Sequence, residues 1–240
     1  GDLCLVASFR GVSVALCCRV TDSSGQTAAA RLIHARRGEI EVPAAPAQGF
    51  TVFLACVTSH QSADPLAEAR RAAAAAAAVD PEALLAEHQS WWAEYWSRSF
   101  VQIGDDYAEN LYYLHHYLMG SSCRGRLPPV FNGGLWIWNR DVRNWVNPHH
   151  WNQQMSFWCL PAAGRSDLLE PYLRTYDDLK PHALAATRER GYQGLRWAEQ
   201  HDYSGRQLAL DSSSFATDHT PAAQIALFYW WHYRYSGDLE

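Results

Sequence analysis

Apolar and polar positions divide the chain into two regimes. Over about the first sixty residues, "LCLVASF", "VSVALCCRV", "GEIEVPA" and "GFTVFLACVT" are short β-branched or alternating runs punctuated by Gly, Ser, Asp and Pro, the pattern of strands. "TDSSGQTAAARLI" reads as a turn leading into a further strand. We expect residues 1–61 to be the end of an antiparallel β-sandwich domain, because four strands alone leave faces and edges uncovered.

From residue 62 the pattern turns helical. "DPLAEARRAAAAAAAVD" is rich in alanine, which has the highest intrinsic helix propensity. "DPEALLAEHQSWWAEYWSRSF" follows, with Asp80 placed to cap and Pro81 at the first helical position. Leu84, Leu85, His88, Trp91, Trp92, Tyr95 and Trp96 recur at three and four and give it one broad apolar face, read as a packing surface. These segments make residues 62–104 an expected helical linker.

Residues 105–240 read as an all-α domain. Its helices are "DDYAENLYYLHHYLMGSS", "SDLLEPYLRTYDDL", "PHALAATRERG" stopped by Gly191, and "TPAAQIALFYWWHYRYSG" capped by Thr220 and stopped by Gly237. His115 and His116 are read as core or interface histidines. Between the first two helices, "RGRLPPVFNGGLWIWNRDVRNWV" loses the helical period, since Pro128, Pro129, Gly133 and Gly134 forbid a regular helix. A helix then restarts with Asn147 as cap and Pro148 at the first helical position.

Composition narrows the function classes. The 240 residues are 48% hydrophobic and 19% charged, enough for a sizeable core. A net charge of −5 and a pI near 6.1 supply no basic field for nucleic acid. No run approaches the roughly 18 to 20 apolar residues of a membrane helix. Cys4, Cys17, Cys18, Cys56, Cys123 and Cys159 form no C-x-x-C pair, so no structural zinc is expected, and the first four are read as buried free thiols, with disulfide pairing as the alternative. No phosphate loop, dinucleotide fingerprint or G-x-S-x-G elbow occurs. The chain begins in mid-strand and stops just after a helix. We therefore expect a piece of a longer protein, with room upstream for a signal peptide.

The candidate chemistry centres on "NPHHWNQQMSFW", residues 147–158, which carries amides, imidazoles and large rings and no Lys, Arg, Asp or Glu. Amides and imidazoles offer both donors and acceptors, as sugar hydroxyls require. Tryptophan faces offer flat apolar surface to the C–H side of a sugar ring. On a helix from Pro148, Trp151, Met155 and Trp158 share a stripe, with Asn152 at its edge. His149, His150 and Asn152 fall in the first turns, where backbone N–H groups are unpaired. Adjacent His149 and His150 point about 100° apart, which argues against a metal site. Asn132, Trp136, Trp138, Asn139, Asn147, His149, Trp151, Gln153, Asp218 and His219 are the candidate sugar-binding residues. The alternative is a buried polar network that ties a loop to the core.

The segment "WN…NPHHWNQQMSFWCLP" resembles part of glycoside hydrolase family 95, the inverting α-L-fucosidases and α-L-galactosidases. There, Asn-x-Asn precedes a Gln-Met-Asn-Tyr-Trp-Pro run. "FYWWHYRYSGD" resembles the family's later His-Leu-Trp-Glu-His-Tyr helix, and "FTVFLACVTSHQSADPLAEAR…HQSWWAEYW" resembles its passage from β domain to barrel. The resemblance implies a multidomain β plus α architecture: the end of a β-sandwich, a helical linker, then part of an (α/α)6 six-hairpin barrel. It also implies two asparagines that, with a later carboxylate, position the attacking water. Asn152 matches the second. His150 stands where the first would be, and Trp231 replaces the glutamate that would act as acid.

Inverting hydrolysis needs an acid and a base roughly 6.5 to 9.5 Å apart. Glu199 in "LRWAEQHDYSG" ranks first among candidate carboxylates. Asp141 comes next, flanked by Arg140 and Arg143, then Asp218. The catalytic candidates are thus Asn152, His150, Glu199 and Asp141. The expected function is cofactor-free removal of a terminal sugar from an oligosaccharide or glycoconjugate. The rival is a carbohydrate-binding relative that has lost its acid.

Overall fold

A computed structural model describes residues 2–9, 11–22, 28–34, 37–41, 49–129, 150–202 and 220–238. Antiparallel β-sheet comes first and helices follow. The chain divides into two compact units, Gly1–Trp91 and Trp92–Glu240.

In the first unit, β1 (Asp2–Phe9), β2 (Val12–Asp22) and β5 (Phe50–Thr58) form an antiparallel sheet in the order β1-β2-β5. Gly11 takes a positive φ of 82° in the tight connection between β1 and β2, a conformation that suits glycine. Strands β3 (Ala29–His34) and β4 (Arg37–Glu41) pair as a second sheet. Gly38 on β4 lies so close to Leu3 of β1 that a Cβ there would run into the leucine side chain. Alternation along β2 and β5 turns Ala15, Cys17 and Val57 inward and leaves Leu16, Phe50, Val52 and Leu54 exposed.

Helix α1 (Pro65–Ala77) covers the inward face. Asp64 caps it by accepting the Ala67 N–H at 3.0 Å. Ala69 and Ala73 pack with Ala15, Cys17 and Val57 to make a core of small side chains, so helix and sheet approach closely. Cys4 and Cys17, expected as free thiols, are joined in a disulfide because the β1–β2 register sets them directly opposite each other. Cys56 is exposed rather than buried, since it falls on the outward face of β5.

The division between units falls within α2 (Pro81–Ser97), whose start is capped by Asp80 through the Glu82 N–H. Within the second unit, Trp92 of α2 stacks on Tyr117 of α3 (Asp106–Ser122), and Trp96 meets Tyr113 of α3 edge-on. Tyr95 is buried between them, its hydroxyl donating to the His116 carbonyl at 2.7 Å. Leu85 and His88, on the face expected to pack, are exposed.

Three further α-helices, α4 (His150–Met155), α5 (Glu170–Arg188) and α6 (Thr220–Ser236), and a 3-10 turn over Ser166–Leu169 complete the described part. The sequence reads as two helices either side of Lys180. The structure instead runs α5 straight through Pro181. A continuous buried stripe of Tyr172, Leu173, Tyr176, Leu179, Ala183 and Thr187 carries the helix across the missing N–H. Tyr172 packs at a tilt against Phe157 and against Phe228 of α6, so one aromatic core joins α5, α6 and the turns after α4.

Candidate active site

Helix α4 is only six residues long, too short to be stable by its own hydrogen bonds. Its position is therefore set by what it touches. The faces are distributed against hydrophobicity: His150, Gln153 and Gln154 are buried, whereas Trp151, Met155 and Trp158 are 46%, 49% and 42% exposed. The buried amides are held on their donor sides: that of Gln153 donates to the Pro129 carbonyl at 3.0 Å and that of Gln154 to the Gln224 side chain of α6 at 2.8 Å, while the Oε1 atoms of both are buried without a hydrogen-bond partner among the described residues. The apolar stripe read from the sequence is thus the open face. Trp151 and Trp158 meet edge to face, 6.0 Å between centroids. Asn152 is half-buried between the two faces.

The other support for α4 is Glu199. Its backbone carbonyl accepts the His150 N–H at 2.9 Å and its carboxylate accepts the Trp151 N–H at 3.0 Å. One residue therefore satisfies two of the N–H groups that the first turn of a helix leaves unpaired. The second carboxylate oxygen lies 3.7 Å from Nδ1 of His150, beyond hydrogen-bond length. Glu199 is 5% exposed and His150 is fully buried.

Behind this pair, the ring of Tyr176 from α5 meets His150, Trp197 and His201. Burial holds His201 well below the usual imidazole range, at about 4. Its Nδ1 faces the Asp202 carbonyl at 3.2 Å. Leu179, His182 and Ala183 of α5, with Arg196, Trp197, Ala198 and His201, line a small, partly open pocket.

Among the residues named from the sequence, the structure brings His150, Trp151 and Glu199 into direct contact and carries Asn152 and Gln153 on the same helix. Asn132, Trp136, Trp138, Asn139, Asp141, Asn147, His149, Asp218 and His219 lie outside the described residues. Trp231, half-buried on α6, packs edge-on against Phe228. Tyr176, Trp197 and His201 were not singled out. The signal for the first was its place one turn after Tyr172 on the apolar face of α5, and the other two flank Glu199 in "RWAEQH". Among the described residues no group of His, Cys, Asp and Glu is arranged to hold a metal ion. None of the described helices is long and apolar enough to cross a membrane.

Comparison with known proteins finds no family model that matches the chain. A kojibiose hydrolase of Mucilaginibacter mallensis is 23% identical over 205 residues, which span 81% of this chain and 26% of that protein. The chain is thus distantly similar to a glycoside hydrolase and spans about a quarter of the length of that curated relative.

Proposed function

We propose that this chain is part of a glycoside hydrolase that releases a terminal sugar by inversion, with α4 on the wall of the sugar pocket. The observation that carries the reading is the extended similarity to a hydrolase named for its action on kojibiose. The make-up of α4 and the turn after it supports it: an exposed tryptophan pair, Trp151 and Trp158, which suits a sugar ring, stands beside a half-buried asparagine amide. Asn152 orients the attacking water and Trp151 packs on the sugar. Gln153 acts from beneath. Asn132, Trp136, Trp138, Asn139, Asn147, His149, Asp218 and His219 supply further contacts to hydroxyls, and Asp141 is a candidate for proton transfer.

The architecture that goes with this reading is a β-sandwich ending near residue 61, a helical linker over 62–104 and an (α/α)6 barrel from residue 105, as in glycoside hydrolase family 95. The exposed apolar face of Leu16, Phe50, Val52 and Leu54 is the kind of surface that the second sheet of a sandwich covers. A second reading, a sugar-binding relative without turnover, is favoured by Trp231, because an indole cannot protonate a leaving oxygen.

The test is turnover by the intact protein on terminal α-L-fucosides, α-L-galactosides, kojibiose and a wider glycoside panel. The expected result is hydrolysis of one class, with the first-formed sugar of inverted anomeric configuration. Saturable sugar binding with no hydrolysis of any glycoside would replace it by the binding reading.

A further inference from the structure

We infer that Glu199 is a positioning residue of the proposed site rather than its proton donor: it holds the first turn of α4, and through it Trp151 and Asn152, in place. The inference rests on the glycosidase reading of that site.

Three observations point there. First, a helix of six residues cannot place Asn152 unaided, and Glu199 takes two consecutive N–H groups of its first turn, those of His150 and Trp151. These bonds come from a segment nearly fifty residues further along the chain, so they fix where α4 starts rather than merely lengthening it. Second, the carboxylate is enclosed: Glu199 is 5% exposed, beneath the turn that carries Trp151 and Asn152. A general acid must reach the glycosidic oxygen. Third, one carboxylate oxygen already accepts the Trp151 N–H at 3.0 Å, so that oxygen is committed to holding the helix.

The roles separate through leaving groups and through Glu199→Gln. Glutamine keeps a side-chain oxygen for the Trp151 N–H but cannot donate a catalytic proton. In the intact protein, Glu199→Gln should keep kcat within about tenfold of wild type, while Glu199→Ala, which has no acceptor, should lose about a hundredfold or more. Neither variant should change the ratio of rates on good and poor aryl leaving groups, and the alkaline limb of the kcat pH profile should stay in place. Equal, deep losses in both variants, restored on substrates with strongly activated leaving groups, would make Glu199 the acid and overturn the inference. Should Glu199→Ala fail to fold, the leaving-group ratio in Glu199→Gln decides alone.

If wild type hydrolyses no glycoside, the hydrolase reading fails and hydrogen exchange at the Trp151 amide decides the positioning role. Protection retained in Glu199→Gln and lost in Glu199→Ala would support it. Equal protection in all three proteins would overturn it.

Discussion

Buried histidines set the chemistry of the helical unit at the scale of single residues. His116 on α3 and His201 beside the candidate site are 1% and 3% exposed, and burial pushes both down to about 4. The charges of Arg165 and the neighbouring His115 add to the effect at His116. At His201 the ring of His150 lowers the value further, while Asp202 and Glu199 oppose. The unfolded chain binds these protons at about 6.5, so between about pH 4 and pH 6.5 it holds more protons than the folded one. Stability therefore rises with pH across that window and is lost on acidification. Calorimetry at pH 5 in buffers of different ionisation enthalpy should show uptake of about two protons from these groups on unfolding, and a lower Tm than at pH 7. A Tm that is level from pH 5 to 7 would contradict this. Arg165 shows what sequence conceals at this scale. In "AAGRSD" nothing local marks it, and it is fully buried, with its guanidinium 4.2 Å above the Tyr95 ring and donating to the Ala163 carbonyl at 3.1 Å. Tyr95 is seventy residues away, and no local pattern announces that contact.

Elements were legible where their signals are local. Asp80, read as a cap, accepts the Glu82 N–H at the start of α2, and Gly191 and Gly237, read as stops, take positive φ just beyond α5 and α6. What eluded the pattern depends on distant partners. Pro181 signals a break that the buried stripe of α5 overrides. The inside-out burial of α4 needs Pro129, Gln224 and Glu199, none of them near in sequence. The β1–β2 register, which sets Cys4 opposite Cys17, cannot be read from composition. That disulfide closes a loop with a sequence separation of 13 and should stabilise the β unit by about 3 kcal/mol, chiefly by restricting its unfolded chain. Reductant, or Cys17→Ser, should lower the unfolding midpoint of the β unit and leave that of the helical unit unchanged. Equal midpoints with and without reductant would show that the cross-link contributes nothing.

At the scale of the whole chain, the change from alternating strands to helical spacing was plain in the sequence, and the structure has antiparallel sheet first and helices afterwards. The choice of chemistry rests on less: on a distant glycoside hydrolase relative, and on a short helix that shows its rings and hides its amides. If the account is right, the half-buried amide of Asn152 holds the water that attacks the sugar, and its removal harms the transition state more than the ground state. Loss of one such positioned group costs on the order of a hundred- to a thousandfold in rate. The most direct measurement is steady-state kinetics of the intact protein and its Asn152→Ala variant on the best glycoside. The account predicts a fall in kcat of about that size with little change in KM; unchanged kcat and KM would contradict it.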